Sequence, residues 1–397
     1  MINRKFCSTK KVSGKDFIDG CSFSVEYLLK SLKENDKEFQ QKFGKKNVKE
    51  VNAYDISDGR GVASVVLRCT IHFINSDETY STILKVPGLE VFKEIQTKHD
   101  GKCDMFDESF NSNHQKECNF YNIMAPLLEG PIPKVYKTED WILNEKEGCI
   151  HMEDLSQKGK TFNYFESVNL EQIKSFIQSL AKIHKSNLSA DPKIWKEKFV
   201  EDDQFFTFYQ EILETQIEPF LKDCPRETHL DLGLPGVIVH GDMHSGNLLW
   251  KINKNGEIQN ELEAIVDWQI VHEGSQMADL AKFLVHTADG NIRREAETFA
   301  FDFYRECLIK EFGGDSSKVP YNVEQLRNAY YYVFALQAFF TFQLVPIFFA
   351  AVKHKYESKD EQKAVYDKGI QKALDAYQDL DRIYNGEMKD VFEKYGL

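Results

Sequence analysis

The sequence predicts an α+β protein with two lobes, a small N-terminal lobe built on an antiparallel sheet and a large, mostly helical C-terminal lobe. Residues 62–73 and 80–86 are rich in β-branched and aromatic residues, and a polar turn separates them, as in a β-hairpin. Residues 170–186 instead repeat apolar residues at helical spacing, and from about Leu280 onward nearly the whole sequence is helical in pattern.

The residue pattern changes from strand-like to helical after Asp154. We therefore predict an N-terminal lobe over residues 1–154, with a helical extension at its start, and a C-terminal lobe over residues 155–397. Further strands are predicted at 134–136 and 148–152. The polar residues 98–113 predict a loop, followed by a helix that begins near His114.

Composition narrows the function classes. The 397 residues are 42% hydrophobic and 13% aromatic, which suits a folded protein rather than a disordered one. A net charge of −13 argues against a nucleic-acid partner, since phosphate binding requires clustered Lys and Arg. The 8 cysteines are dispersed without a C-x-x-C pair, which favours free thiols. No apolar segment follows the N-terminus, so we expect a cytoplasmic protein without a secretory signal.

Residues 329–352 contain no charge and reach the length of a membrane span. Gln337, Gln343 and Pro346 interrupt this run, and three consecutive tyrosines open it. Such a mixture favours a helix inside a helical lobe, so no membrane span is expected. Its aromatic residues form core or line a substrate pocket, and the sequence leaves both alternatives open.

The segment His240–Asn247 carries the chemistry. It leaves the apolar strand 237–239, so its polar residues stand on a loop at a strand end. Phosphoryl transfer needs a carboxylate to orient the attacking hydroxyl, oxygen ligands for Mg²⁺ and cations on the phosphates. Asp242 and Asn247 have the spacing of the base and the magnesium ligand in the protein-kinase catalytic loop.

A second hairpin follows, with strands at 248–250 and 264–266 and a tip at Asn255-Gly256. Its return strand leads directly into Asp267, which we expect beside Asn247. One amide and one carboxylate in this position predict a magnesium site of hard oxygen ligands.

Lys85 lies inside an apolar strand, where a buried lysine needs an anion, and Glu117 on the next predicted helix is its best partner. In a kinase such a pair anchors the α- and β-phosphates of ATP. The alternative is an edge-strand lysine that faces water.

Weaker candidates surround these residues. Gly59, Gly61 and Ser64 form a turn before the first hairpin strand and either approach phosphates or make an ordinary turn. Glu153 and Leu155, where the residue pattern changes, either offer backbone groups to an adenine edge or mark a helix start.

Two further residues belong to the catalytic segment or follow it. His244 either touches the γ-phosphate or braces the loop, and bracing is favoured. Asp279 is expected to be a helix cap or a structural hydrogen-bond acceptor.

The motifs H-G-D-x-H-x-x-N, V-D-W-Q and D-L-A resemble the aminoglycoside/choline phosphotransferase superfamily, and E-C-N-F-Y, M-E-D-L and A-K-I-H resemble its ecdysteroid-kinase-like branch. The resemblance implies a protein-kinase-like fold that uses ATP and Mg²⁺. It implies that Asp242 is the base, Asn247 and Asp267 are metal ligands, and Lys85 with Glu117 anchors the phosphates.

These observations predict transfer of the γ-phosphoryl group of ATP to a hydroxyl of a small molecule, such as a steroid-like alcohol, choline, ethanolamine or a xenobiotic. A protein kinase is disfavoured because no Ala-Pro-Glu element follows Asp267. The alternative of a different class is an inactive pseudokinase that binds nucleotide or acts as a scaffold.

Overall fold

The computed structural model describes residues 7–10, 16–18, 21–56, 64–88, 104–196, 198–199, 228–390 and 393. The chain divides into two compact units, the first formed by Met1–Asn122 with Pro133–Gln157, the second by Ile123–Ile132 with Lys158–Leu397. The last passage between the units follows Gln157, near the sequence-based boundary after Asp154.

The first unit is built on a six-stranded sheet in which every strand pair is antiparallel. Its strands are β1 (Cys7–Lys10), β2 (Val48–Asp55), β3 (Ser64–Phe73), β4 (Thr79–Pro87), β5 (Val135–Glu139) and β6 (Cys149–Glu153). The order is β1-β2-β3-β4-β6-β5. The predicted hairpin is therefore confirmed as β3–β4. Strand β4 has neighbours on both sides, which places Lys85 in the interior of the sheet and not at its edge.

Three helices accompany this sheet in the described residues. They are α1 (Val25–Asn35), α2 (Lys37–Lys42) and α3 (Asp104–Asn119), and a π-helical turn, Phe120–Met124, follows α3. Aromatic rings form much of the core between α2 and the sheet, where Phe43 stacks on Phe73 with ring centroids 4.9 Å apart.

The predicted loop at 98–113 is wrong for its second half, since α3 already begins at Asp104; residues 98–103 lie outside the described part. The polar residues of α3 are satisfied by distant backbone. Asn111 donates to the Trp141 carbonyl at 2.8 Å, and His114 Nε2 donates to the Glu139 carbonyl at 2.9 Å. These partners are remote in sequence, so local pattern gave no sign of them.

The second unit is mostly helical, as predicted. Its helices are α4 (Leu170–Ser189), α5 (Pro192–Trp195), α6 (Thr228–Asp231), α7 (Ala278–Thr287), α8 (Gly290–Glu297), α9 (Ala300–Glu311), α10 (Val323–Val352) and α11 (Lys359–Asn385). Short 3-10 helices lie at Ala125–Leu127, Ser245–Asn247, Ser316–Lys318 and Lys353–Lys355. The predicted fold class, a small antiparallel-sheet part followed by a large helical part, is the one observed.

The described residues of the second unit also contain five short strands. They are β7 (Gly159–Lys160), β8 (Val237–Val239), β9 (Leu248–Ile252), β10 (Ile258–Ile265) and β11 (His272–Gly274). The predicted second hairpin is confirmed, because β9 and β10 pair antiparallel and Gly256 in the connecting turn has a φ of +79°. Strand β8 pairs with β11, so the strand that leads into His240 is held in place from its side.

Helix α10 contains the long apolar run. By length and composition alone, the stretch Ser316–Lys355 qualifies as a membrane-crossing helix, and 28% of its most apolar part is buried within the protein. The first half packs inside the unit, where Tyr330 is fully buried and donates to Glu297 at 2.7 Å. The second half is partly exposed, with Ile347 at 60%. The expected absence of a membrane span stays a prediction.

A buried charge cluster joins α8 to α11. The Arg293 guanidinium is fully buried and donates to Asp379 at 2.5 Å, and the more exposed Arg294 donates to the same carboxylate at 2.9 Å. Removing one partner of a buried ion pair is costly because it leaves the other charge uncompensated.

Asp379→Ala should therefore lower the free energy of unfolding by about 3 kcal/mol, since Arg293 would keep only the more distant Glu297 as a counter-charge. Urea titration of both proteins measures this difference. Asp375→Ala is the matched control, since Asp375 pairs with the partly exposed Arg294 and accepts from Gln371, and its loss should cost less, about 1 kcal/mol. Equal losses of unfolding free energy in the two variants would show that the buried Arg293–Asp379 pair is no more stabilising than the exposed one.

Candidate active site

The site begins where β8 ends, at a loop whose backbone has a shape that requires glycine. Gly241 has a φ of +83°, and a Cβ at this position would lie 2.8 Å from the Ile270 carbonyl oxygen. A side chain is excluded on both grounds. The glycine thus allows the chain to turn sharply between β8 and Asp242.

Asp279, in the first turn of α7, fixes this loop through its backbone. Its Oδ2 accepts from the His240 N–H at 2.8 Å, and its Oδ1 accepts from the Gly241 N–H at 3.0 Å. The carboxylate is buried, with 3% of its residue surface exposed. The predicted role as a structural acceptor is the geometry observed, and the N-cap position of α7 belongs to Met277.

His240 braces the same loop from inside. Its Nδ1 accepts from the Asp242 N–H at 3.1 Å, which assigns the ring proton to Nε2, and Nε2 donates to the Val266 carbonyl at 2.9 Å. The ring packs edge-on against Trp268, with centroids 4.6 Å apart. Burial lowers the pKa of His240, which favours the neutral tautomer that these bonds require.

The Asp242 carboxylate lies among three polar side chains. Lys282 Nζ is 2.9 Å from Oδ1, while His244 Nε2 and Asn247 Nδ2 lie 3.5 Å and 3.3 Å from Oδ2. Burial acts to raise the pKa of Asp242, but the charge of Lys282 and the contact with His244 outweigh it and hold the pKa well below the usual range. Asp242 is therefore a carboxylate at neutral pH, and a quarter of its side-chain surface, 25%, is exposed.

Asn247 and Asp267 are neighbours through the hairpin, as predicted. The Val266 N–H donates to the Asn247 carbonyl at 3.0 Å, immediately beyond the last registered pair of β9 and β10. Asp267 has a φ of +69°, an uncommon conformation for a residue with a side chain. Such strain often accompanies a functional position.

The orientation of the Asn247 amide bears on metal binding. Its Nδ2 donates to the Asp242 carbonyl at 2.9 Å, and its Oδ1 accepts no hydrogen bond within the described residues. An amide oxygen and the Asp267 carboxylate are donors of the type that Mg²⁺ takes. Over the described ranges there is no group of three or more His, Cys, Asp or Glu side chains suited to a metal.

In the first unit, Lys85 and Glu117 form the predicted ion pair. Lys85 Nζ lies 2.6 Å from Glu117 Oε2, and the two residues are 8% and 1% exposed. The alternative of a lysine facing water is thus excluded. Glu129, another acidic residue between α3 and β5, pairs with Lys185 in the second unit.

The weaker candidates have mixed outcomes. Gly59 and Gly61 lie outside the described residues, and Ser64 is the first residue of β3. Glu153 ends β6, and its Oε1 accepts from the Lys134 N–H at 2.9 Å. Leu155 follows outside any helix or strand, and its backbone forms no hydrogen bond with the described residues. No helix begins there, so the alternative interpretation as a helix start is wrong.

His244 braces its own loop, as favoured from sequence, because its Nδ1 accepts from the Gly246 N–H at 3.0 Å. Its ring also contacts the half-buried Phe348 of α10, with centroids 5.4 Å apart. Sequence reasoning missed Lys282 entirely. The available signal was its position three residues after Asp279, which places both side chains on one face of α7.

Asp279→Ala should lower the free energy of unfolding by about 2–3 kcal/mol, because two buried N–H groups would lose a charged acceptor. Urea titration measures this loss, and faster amide exchange at His240 and Gly241 locates it. Asp279→Asn keeps one oxygen and should lose less. The control Asp367→Ala removes an exposed carboxylate that pairs with Lys363 on α11. Unchanged exchange in Asp279→Ala would contradict the bracing role.

Two proteins of Caenorhabditis elegans are similar to this chain. One, named "Uncharacterized oxidoreductase dhs-27", is 25% identical over 307 residues, which cover 68% of this chain and 36% of that protein. The other, named "Uncharacterized kinase-like protein D1044.1", is 25% identical over 240 residues, or 54% of this chain and 61% of that protein. The chain thus spans about a third and about three-fifths of the two relatives.

Solved structures with similarity include the GDP complex of aminoglycoside 2'-phosphotransferase-IIIa, with 11% identity, a TM-score of 0.41, and coverage of 86% of this chain and 97% of that one. Another is macrolide 2'-phosphotransferase MphH from Brachybacterium faecium, with 12% identity, a TM-score of 0.42, and coverage of 80% and 91%.

A family model described as "Uncharacterized oxidoreductase dhs-27" matches residues 29–227 and 210–388, which together take in most of the chain. The name of the second relative, a kinase-like protein, agrees with the resemblance to the aminoglycoside/choline phosphotransferase superfamily. Because this family model covers most of the chain, the protein belongs to the DUF1679 family.

Proposed function

We propose that this protein is an ATP-dependent kinase that transfers the γ-phosphoryl group to a hydroxyl of a small metabolite or xenobiotic. One observation carries the proposal: Asp242 and Asn247, in the spacing of a kinase catalytic loop, are in contact at the open end of hairpin β9–β10, and Asp267 follows the residue that pairs with Asn247. A carboxylate for the acceptor and oxygen ligands for a metal are the groups that this chemistry needs.

In the proposed reaction the acceptor hydroxyl donates a hydrogen bond to Asp242. The hydroxyl oxygen bonds to the γ-phosphorus while the bond from that phosphorus to the bridging oxygen breaks, and ADP keeps the bridging oxygen with its electron pair. The hydroxyl proton passes to Asp242. The lowered pKa of Asp242 makes it a weak base, which suits a loose transition state in which the nucleophile needs orientation more than activation.

Asn247 Oδ1 and the Asp267 carboxylate are the proposed ligands of Mg²⁺. The amide is held by its Nδ2 on the Asp242 carbonyl, so the same bond that orients Asn247 ties it to the base. Magnesium, when bound, neutralises charge on the transferred phosphates.

Lys85 is the proposed anchor of the ATP phosphates, with Glu117 fixing its ammonium. The free backbone groups at Leu155, next to Glu153, support a proposed contact with an adenine edge. For the turn at Gly59, Gly61 and Ser64, a phosphate contact remains a proposal from sequence alone.

The acceptor is proposed to be a steroid-like alcohol, choline, ethanolamine or a similar hydroxyl compound. The contact of Phe348 with His244 supports an acceptor with an apolar part, since an aromatic ring lies next to the side chains around Asp242. We also propose a cytoplasmic location, for which the free thiols among the described cysteines are the support.

Two alternatives carry less support. A pseudokinase would tolerate loss of the catalytic groups, whereas this chain keeps Asp242, Asn247, Asp267 and Lys85. An oxidoreductase activity, as named for one relative, is typically built on a parallel sheet for dinucleotides, and all strand pairs in the described residues are antiparallel. We infer that the name concerns the part of that relative which this chain does not span.

Asp242→Asn should reduce magnesium-dependent ADP release at least about a hundredfold, because the amide cannot accept the hydroxyl proton. ATP affinity, measured by calorimetry, should persist. A screen of hydroxylated metabolites with ADP detection supplies the acceptor for this assay. Wild-type turnover in Asp242→Asn would exclude the role proposed for Asp242.

Lys85→Ala should weaken ATP binding at least about tenfold, because the phosphates would lose their buried cation. Lys137→Ala is the matched control, since Lys137 pairs with Glu139 on β5 with 37% of its side chain exposed. Equal ATP affinity in wild type and Lys85→Ala would count against the phosphate contact.

A further inference from the structure

Lys282 lies on the face of α7 that meets the catalytic loop. Asp279 is one turn before it, and both side chains reach the segment around Gly241. Only 18% of the Lys282 side chain is exposed. A lysine with so little exposure needs acceptors for its ammonium group.

The ammonium has two acceptors, and both belong to the catalytic loop. Lys282 Nζ lies 2.9 Å from Asp242 Oδ1 and donates to the Gly241 carbonyl at 2.7 Å. One group therefore holds the side chain of Asp242 and the backbone of the preceding residue. Such two-point contact fixes the side-chain torsion of the carboxylate relative to its own loop.

Bracing of the loop does not by itself explain Lys282. The backbone N–H groups of His240 and Gly241 already donate to the Asp279 carboxylate, and the His240 ring donates to the Val266 carbonyl. What Lys282 adds is a close contact with the Asp242 carboxylate itself. The other two groups near that carboxylate are more distant, at 3.3 Å and 3.5 Å.

We propose that Lys282 is a positioning residue of the active site, which occupies Oδ1 of Asp242 and thereby presents Oδ2 to the acceptor hydroxyl. The inference rests on the proposed function. It divides the two oxygens of the base: Oδ1 makes the short ionic contact, whereas Oδ2 has only long contacts to His244 and Asn247 and retains room to accept the hydroxyl proton.

The consequence for catalysis is geometric. A carboxylate free to rotate about its side-chain bonds would spend much of its time misaligned with the hydroxyl, and small misplacement at a reacting group costs up to about a hundredfold in rate. Lys282 therefore acts through Asp242, and its effect on the rate vanishes when Asp242 cannot act as a base.

The test is a double-variant cycle on the full chain, with Lys282→Met, Asp242→Asn and the double variant, and with magnesium-dependent ADP release as readout. Lys282→Met should lower kcat about 10–100-fold and change KM for ATP by less than about twofold. Added to Asp242→Asn, it should cause no further loss. Lys282→Arg, which keeps the charge, should restore most of kcat.

Lys251→Met is the control for loss of a lysine in the same unit, since Lys251 forms an exposed pair with Glu261 on the hairpin, and it should leave kcat unchanged. Thermal unfolding of all variants separates positioning from loss of fold. Independent losses in the cycle, or wild-type kcat in Lys282→Met, overturn the inference and leave the proposed function standing if Asp242→Asn is inert.

Full activity in Asp242→Asn would show that Asp242 is not the base, and the proposed function would fail. A wild type without turnover is decided by the unfolding midpoints of the same cycle: additive shifts from Lys282→Met and Asp242→Asn would show that the pair is not coupled and overturn the inference, and non-additive shifts would support the contact it requires.

Discussion

The catalytic loop depends on one buried carboxylate. Asp279 accepts from the backbone N–H groups of His240 and Gly241, two residues that stand 39 and 38 positions away along the chain. An N–H group buried without a partner is costly, and a buried carboxylate without donors is more so. The two hydrogen bonds therefore satisfy the buried N–H groups and the buried carboxylate together, and they attach the loop to helix α7. This attachment helps to fix the backbone of the loop, and the loop in turn positions Asp242 for its side-chain contacts.

Around that attachment, the contacts of Asp242 come from several elements. His240 lies on the strand exit, Lys282 on α7 and Asn247 on the 3-10 turn before β9, while β10 returns the chain so that Asp267 follows Val266. The hairpin thus joins Asn247 and Val266, which are nineteen positions apart in sequence, by a direct backbone hydrogen bond. Position along the hairpin, rather than a long loop, determines where Asn247 and Asp267 stand.

The first unit also contains buried charge, but there two opposite charges form an ion pair. Lys85 is surrounded by apolar residues of a central strand, and Glu117 reaches it from α3. Neither charge is stable alone in such burial, so each makes the other possible. The pair is held ready by the fold, and this preorganisation is what an anchor for phosphates requires.

The sequence by itself determined the elements whose signal is local. Alternation and turn chemistry predicted β3–β4 and β9–β10, and with the second hairpin the approach of Asn247 to the end of the return strand, since strands and tight turns are specified by neighbouring residues. Tertiary structure decided the rest. Polar side chains of α3 donate to carbonyls that are distant in sequence, and Lys282 meets Asp242 from α7, whose Asp279 accepts from the backbone of the same loop. Contacts between residues far apart in sequence have no local pattern, so only the folded chain reveals them.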